Sequence, residues 1–244
     1  MASGKQIEVR GVGLAVKLYR IKGLDMTATK LAALLRDHEY APEDDRDITS
    51  GFVSARKSGD FVNAEFAAGF TVSVSKYDKD GNRVFEDYVS VDNADIIIKV
   101  DRGTIELRGP LRVAGKFLRS FMNITDAVVT PLNLDGGTRK LFDRASEISS
   151  VILSGVEKGN LKQAEFSGEG IQTEEEIGLY TRRYNAHISR FRGKFDYPSK
   201  TMYTTYINAP EGSFVMYRRG KGINEDDLNW LVELMEESAL EAVG

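Results

Sequence analysis

The chain contains no cysteine, only two histidines and five prolines in 244 residues. Without cysteine there are no disulfides, no thiolate nucleophile and no cysteine-bound zinc or iron–sulfur centre. His38 and His187 are too few for a histidine-rich metal site. His38 continues the helical stripe of Leu31, Leu34 and Leu35, which makes it a partly buried imidazole or a C-terminal cap. No run approaches the ~18 apolar residues of a membrane span, and the opening MASGKQIEVRG lacks the apolar core of a secretory signal. The expectation is an intracellular, cytoplasmic protein with no membrane contact.

The common enzyme signatures are missing as well. There is no G-x-S-x-G elbow, G-x-x-x-x-G-K-[ST] loop, G-x-G-x-x-G turn or H-E-x-x-H helix. No lysine has Asp or Glu two positions before it, which removes the E-x-K arrangement of metal-dependent nucleases. Glu8-Val-Arg10 and Glu106-Leu-Arg108 offer only a guanidinium that never deprotonates. DKDGN at 78–82 begins like a calcium loop, but its glycine is at position four and no glutamate stands at position twelve, so it reads as a hairpin turn. PEDDRD at 42–47 reads as a solvated loop. No catalytic residue, metal site or cofactor is assigned.

What is present is enough apolar residue, 41%, against 29% charged, to bury a core. Strand-like alternation over 5–22 leads to a helix capped by Asp25 or Thr27. From Ile48 to Leu107, turns at Lys57–Asp60, Asp78–Asn82 and Asp101–Gly103 separate β-branched runs, read as about five antiparallel strands. Gly109-Pro110 opens a second helix burying Phe117, Leu118, Phe121 and Met122. A strand near Ala127–Leu134, a helix from about Arg139, a hairpin turning at Lys158–Asn160 and a short acidic helix after Gly170 follow. NEDDLNWLVELMEESALEAV is a helix with Asn224 as cap, Asp227 at the capping-box position and Leu228, Leu231, Val232 and Met235 on its buried side.

Strand, glycine, helix recurs in RIKGLDMTATKLAALL, ELRGPLRVAGKFLRSF and FSGEGIQTEEEIGLY, a likeness of pattern and not of residues. The expected fold is α+β: antiparallel hairpins forming one or two curved sheets, single helices packed on one face, in two related halves at 1–124 and 125–244 packed as one compact unit.

The net charge is -4, yet the charge is segregated. Between Gly178 and Gly222, the nine cations Arg182, Arg183, Arg190, Arg192, Lys194, Lys200, Arg218, Arg219 and Lys221 stand against only Asp196 and Glu211. Asn224–Gly244 holds seven acids and no base. A second stripe, Arg108, Arg112, Lys116 and Arg119, follows helical spacing. Strand alternation sends Arg190, Arg192 and Lys194 to one face and Phe191, Phe195 and Tyr197 to the other, so those rings belong to the core. Ala186 and Ile188 have the opposite parity to Phe191 and Phe195, and keeping both sets inside requires a bulge near Ser189. Tyr184, Tyr206 and Tyr217 are left as stacking candidates.

Three readings fit. The preferred one is a non-catalytic nucleic-acid-binding protein whose basic stripes contact phosphates. The second is a scaffold or homo-oligomer whose basic strands meet an acidic protein surface, with Glu233, Glu236 and Glu237 as first partners. The third is an enzyme with a dispersed acidic metal site or an Arg-based anion site.

Overall fold

The computed structural model describes residues 4–9, 11–134, 137–218, 220 and 222–241. In chain order the first elements are β1 Gln6–Glu8, β2 Gly13–Lys22, α1 Ala28–Arg36 and β3 Ser50–Ser58. β4 Phe61–Tyr77, β5 Arg83–Lys99, β6 Thr104–Arg108, α2 Leu111–Thr125 and β7 Val128–Pro131 follow. Next are α3 Thr138–Arg144, β8 Ala145–Lys158, β9 Leu161–Ser167, a 3-10 turn at Ile171–Thr173 and α4 Glu175–Arg183. The chain ends with β10 His187–Phe195, β11 Thr204–Asn208, β12 Ser213–Tyr217, β13 Gly222–Asn224 and α5 Glu225–Glu241. The fold is α+β, with antiparallel sheets and helices packed on them. No helix among the described residues is long and apolar enough to cross a membrane.

Two compact units emerge. One comprises Leu18–Thr130, the other Met1–Lys17 with Pro131–Gly244. The described residues up to Lys17 thus go with the C-terminal part of the chain, because Gly13–Lys17 pair antiparallel with β12 and β1 pairs with β13.

In the Leu18–Thr130 unit the strand order is β3-β4-β5-β6-β2. Four strands lie between Ile48 and Leu107 where the sequence suggests about five. Three turns bound four runs, and β4 and β5 are each 17 residues long without a break. The expected turns are present, with Gly59, Gly81 and Gly103 at φ of 61°, 81° and 61°, where a side chain would be strained. Thr27 caps α1, its hydroxyl accepting from the Lys30 N–H at 3.4 Å, and Leu31 and Leu35 are fully buried. Phe117 of α2 packs edge-on against Phe66 and Phe52, with ring centroids 5.6 and 6.3 Å away. Arg108 belongs to β6 and not to the helical stripe. It is buried and bonded through Nε to Glu106 at 2.5 Å, two residues away on the same strand face.

In the other unit the order is β2-β12-β11-β10-β8-β9. Phe142 of α3 meets Phe191 edge-on, and Trp230 of α5 packs against Phe195 and Tyr197. Leu228, Leu231, Val232 and Met235 are buried as their spacing requires. Asn224 caps α5 by accepting from the Asp226 N–H at 2.9 Å. Asp227 does not complete a capping box. It is fully buried and accepts from the Ser199 N–H at 2.8 Å and the Ser199 hydroxyl at 2.5 Å, tying α5 to the loop before β11.

Candidate nucleic-acid interface

The interface is built outward from the register of β10. Ile188 pairs with Leu153 and Arg190 with Ile152, so Ser189 is the extra residue of a bulge. Its buried hydroxyl donates to the Ile152 carbonyl at 3.1 Å and shares a hydrogen bond with Ser154 at 2.8 Å. The bulge lets Ile188, Phe191 and Phe195 all point inward, each at most 4% exposed. Arg190 and Arg192 consequently stand exposed on the opposite face, with Lys194 half-buried beside them.

The same alternation runs through the neighbouring strands. Ile207 of β11 and Phe214 and Met216 of β12 are buried, which turns Tyr206, Val215 and Tyr217 to the cationic side. Arg192 lies directly opposite Tyr206, Lys194 opposite Thr204, and Thr204 opposite Tyr217. The Arg192 guanidinium sits 5.4 Å from the centre of the Tyr217 ring, and its Nη2 donates to the Tyr217 hydroxyl at 3.5 Å. Cations and rings therefore share this face, although the rings of β10 itself, Phe191 and Phe195, do not take part. Tyr197 is also core. Its hydroxyl shares a 2.6 Å hydrogen bond with Thr205, and burial pushes its pKa upward.

The cations differ in how they are engaged. Lys194 Nζ is 2.8 Å from Glu147, and Lys17, on the adjoining stretch of β2, is 2.9 Å from Glu211. Arg190 donates to the Asn208 side chain at 3.3 Å, and Arg218 to the carbonyls of Gly11 and Gly220 at 2.5 and 2.6 Å. None of Arg190, Arg192 and Arg218 pairs with a carboxylate among the described residues. Their charge remains available to an anion. Lys194, Met202, Thr204, Tyr217 and Arg218 line an open pocket of about 480 Å3, within the ordinary range for organic ligands.

The other sequence candidates fall elsewhere. Arg182 and Arg183 are exposed on α4, whose Thr181 lines a cavity with Thr138 and Arg139 of α3, on the helix-covered side of the sheet. Tyr184 packs edge-on against Tyr180, which in turn meets Phe166, and it receives the Lys158 ammonium 5.0 Å from its ring centre. These three do not join the face of Arg190. Arg219 and Lys221 lie outside the described residues.

On α2, in the Leu18–Thr130 unit, Arg112 pairs with Asp92 and stacks 4.5 Å from the Phe70 ring centre. Lys116 donates to the Gly69 carbonyl at 2.7 Å and also approaches the Phe70 ring. That leaves Arg119, which bonds only to the Gly115 carbonyl, as the stripe's exposed cation without a carboxylate among the described residues.

The acidic motifs close on themselves. Asp78 accepts from the N–H groups of Asp80 and Asn82 at 2.9 and 2.8 Å, which holds its carboxyl below its usual pKa in a hairpin turn. In the 42–47 loop, Asp47 accepts from the Glu43 N–H and Asp44 from the Arg46 N–H. Among the described residues, no three of His, Asp and Glu are grouped so as to hold a metal ion. His38 is exposed and its Nδ1 donates to the Leu34 carbonyl at 3.0 Å, the C-terminal cap of the two readings.

What sequence reasoning left unplaced were Tyr206 and Tyr217. The parity of Ile207, Phe214 and Met216 is the signal that assigns them to the outer face. Glu147, which neutralises Lys194 from 47 residues away, carries no such local signal. No protein-family model matches the chain, and no curated protein matches it.

Proposed function

We propose that the open face of β8, β10, β11 and β12 binds single-stranded nucleic acid without cleaving it. The observation that carries this reading is the meeting of the exposed Arg192 with the half-buried rings of Tyr206 and Tyr217 on one face of the sheet, flanked by the exposed Arg190 and Arg218. Phosphates are recognised by cations that have no carboxylate to satisfy them, and bases by aromatic rings standing on the same face as those cations. A duplex keeps its bases stacked inside and offers such rings nothing to stack on. Single strands splay their bases out, which is why the reading specifies them.

The acidic-partner alternative has less support. Glu236 is only 6% exposed, which leaves Glu233 and Glu237 as the outward acids among those three on α5, and the apolar side of that helix is already packed.

The test is fluorescence anisotropy with a short labelled homopolymer at several salt concentrations. Arg190→Ala with Arg192→Ala is expected to reduce the magnitude of the log K against log salt slope by about 1.4, since each single-strand phosphate left without its cation lowers it by about 0.7. Lys194→Ala should change the slope less, since its charge is already balanced by Glu147. A wild-type protein with no salt-sensitive binding at low ionic strength overturns the reading. The oligonucleotide should also be recovered intact in the presence of divalent metal. Turnover abolished by replacing the carboxylates at 43–47 would favour the enzyme alternative.

A further inference from the structure

The long hairpin of β4 and β5 outruns its neighbours. β3 pairs with β4 only over Phe61–Ala68, and β6 pairs with β5 only over Asp95–Lys99. Beyond Gly69 the two strands continue to pair with each other, and among the described residues no strand lies on either outer edge. At about 3.4 Å per residue, Phe70–Tyr77 forms a ribbon roughly 25 Å long. A two-stranded ribbon is marginal by itself in water. This one nevertheless exposes Val74, Tyr77, Phe85, Tyr88 and Val91, with Tyr77 at 75% and Phe85 at 63%. Its internal ties are polar: Ser73 donates to Asp87, Lys76 pairs with Glu86, and the Arg83 guanidinium covers Phe85 at 5.0 Å.

The direction of the free backbone groups follows from one bond. The Gly69 N–H donates to the Thr49 carbonyl at 2.9 Å, on the side away from β5. Because β4 pairs with β5 without a register shift, Thr71, Ser73, Ser75 and Tyr77 also aim their N–H and C=O groups at the open edge. That edge, FTVSVSKY, carries a single charge, no proline and no glycine, the composition of a strand that accepts another strand. The edge of β5 differs in carrying four charged residues, Arg83, Glu86, Asp87 and Asp92, the device by which edge strands resist pairing.

We propose that a second copy of this chain pairs antiparallel with the outer edge of β4 about a two-fold axis at Val74, giving a homodimer joined by a continuous four-stranded ribbon. The outward-pointing odd residues must meet one another. Centring on Val74 places Ser73 opposite the partner's Ser75 and Thr71 opposite the partner's Tyr77. Lys76 then faces the partner's Val72, and no like charges are opposed. Centring on Ser73 would bring in Gly69, whose N–H is already donated to Thr49. This inference does not depend on the nucleic-acid reading.

Since the chain has no cysteine, Val74→Cys introduces its sole thiol. Val74 lies at a non-hydrogen-bonded position on the axis, where opposing Cα atoms approach to about 4.5 Å, inside the range a disulfide spans. Mild oxidation of the otherwise intact chain should give a disulfide-linked dimer, while Val53→Cys, equally exposed on β3, stays monomeric at the same concentration. Sedimentation should show a wild-type dimer. Ser75→Pro removes an outward N–H without touching the ladder to β5, and should raise the dimer dissociation constant about 5- to 150-fold through the absence of two symmetry-related hydrogen bonds. A monomeric wild type, or V74C crosslinking no faster than V53C, overturns the proposal. If Ser75→Pro perturbs the fold, the cysteine pair decides alone.

Discussion

Removing both outward rings, Tyr206→Ala with Tyr217→Ala, is expected to weaken single-strand binding by about 1 to 3 kcal/mol for each base they stack. That is about 5- to 150-fold per ring. The chain should remain folded, because both side chains stand on the open face and the core beneath is made by Ile207, Phe214 and Met216. Tyr206→Phe and Tyr217→Phe keep the stacking surface and should bind nearly as the wild type does. Tyr217→Phe also removes the hydroxyl that accepts from Arg192, so a small loss there and none at Tyr206 would show the ring to be the recognition element. The decisive contrast is in salt dependence. Loss of a ring lowers affinity at every salt concentration and leaves the slope unchanged, whereas loss of Arg190 and Arg192 flattens it. Ring variants that bind as tightly as the wild type would mean that bases do not lie on this face.

Leu231→Ala should cost about 2 to 5 kcal/mol of stability, because truncating a fully buried leucine strips away apolar packing and leaves a cavity. The upper part of that range is the more fitting expectation. The surroundings of α5 are fixed by Trp230 wedged against Phe195 and Tyr197, and by Asp227 anchoring Ser199, so the site has little freedom to collapse. Urea unfolding should show a lower midpoint with an unchanged slope. An unchanged midpoint would mean that the apolar side of α5 is not packed in solution. Glu237→Gln, on the exposed side of the same helix, should leave stability within about 0.5 kcal/mol of wild type.

Much of the strand β10 is legible from its residues. Two apolar sets of opposite parity cannot both be buried on a regular strand, so Ala186 and Ile188 followed by Phe191 and Phe195 demand an irregularity, and the bulge falls at Ser189. The turns, the cap at Thr27 and the buried stripe of α5 are legible for the same kind of reason. Each is written within a few residues, by φ preference, by a side chain that bonds its own backbone, or by a 3.6-residue period. The strand count is lower than the residues suggest because three turns bound four runs, and β4 and β5 each continue through 17 residues without interruption.

The sequence by itself determined which side chains of each strand share a side, and so separated Arg190, Arg192 and Lys194 from Phe191, Phe195 and Tyr197. It did not determine which strands would lie together. Only the tertiary register set Arg192 beside Tyr206 and within reach of Tyr217, because cross-strand partners depend on pairing across 14 and 25 residues of chain. The same holds for which cations remain available. Lys194 is balanced by Glu147, Arg112 by Asp92 and Lys17 by Glu211, the last across 194 residues. A charge surplus counted along the chain ignores these pairs, since an ion pair depends on distance in space and the local pattern of a strand or helix carries no information about its distant neighbours.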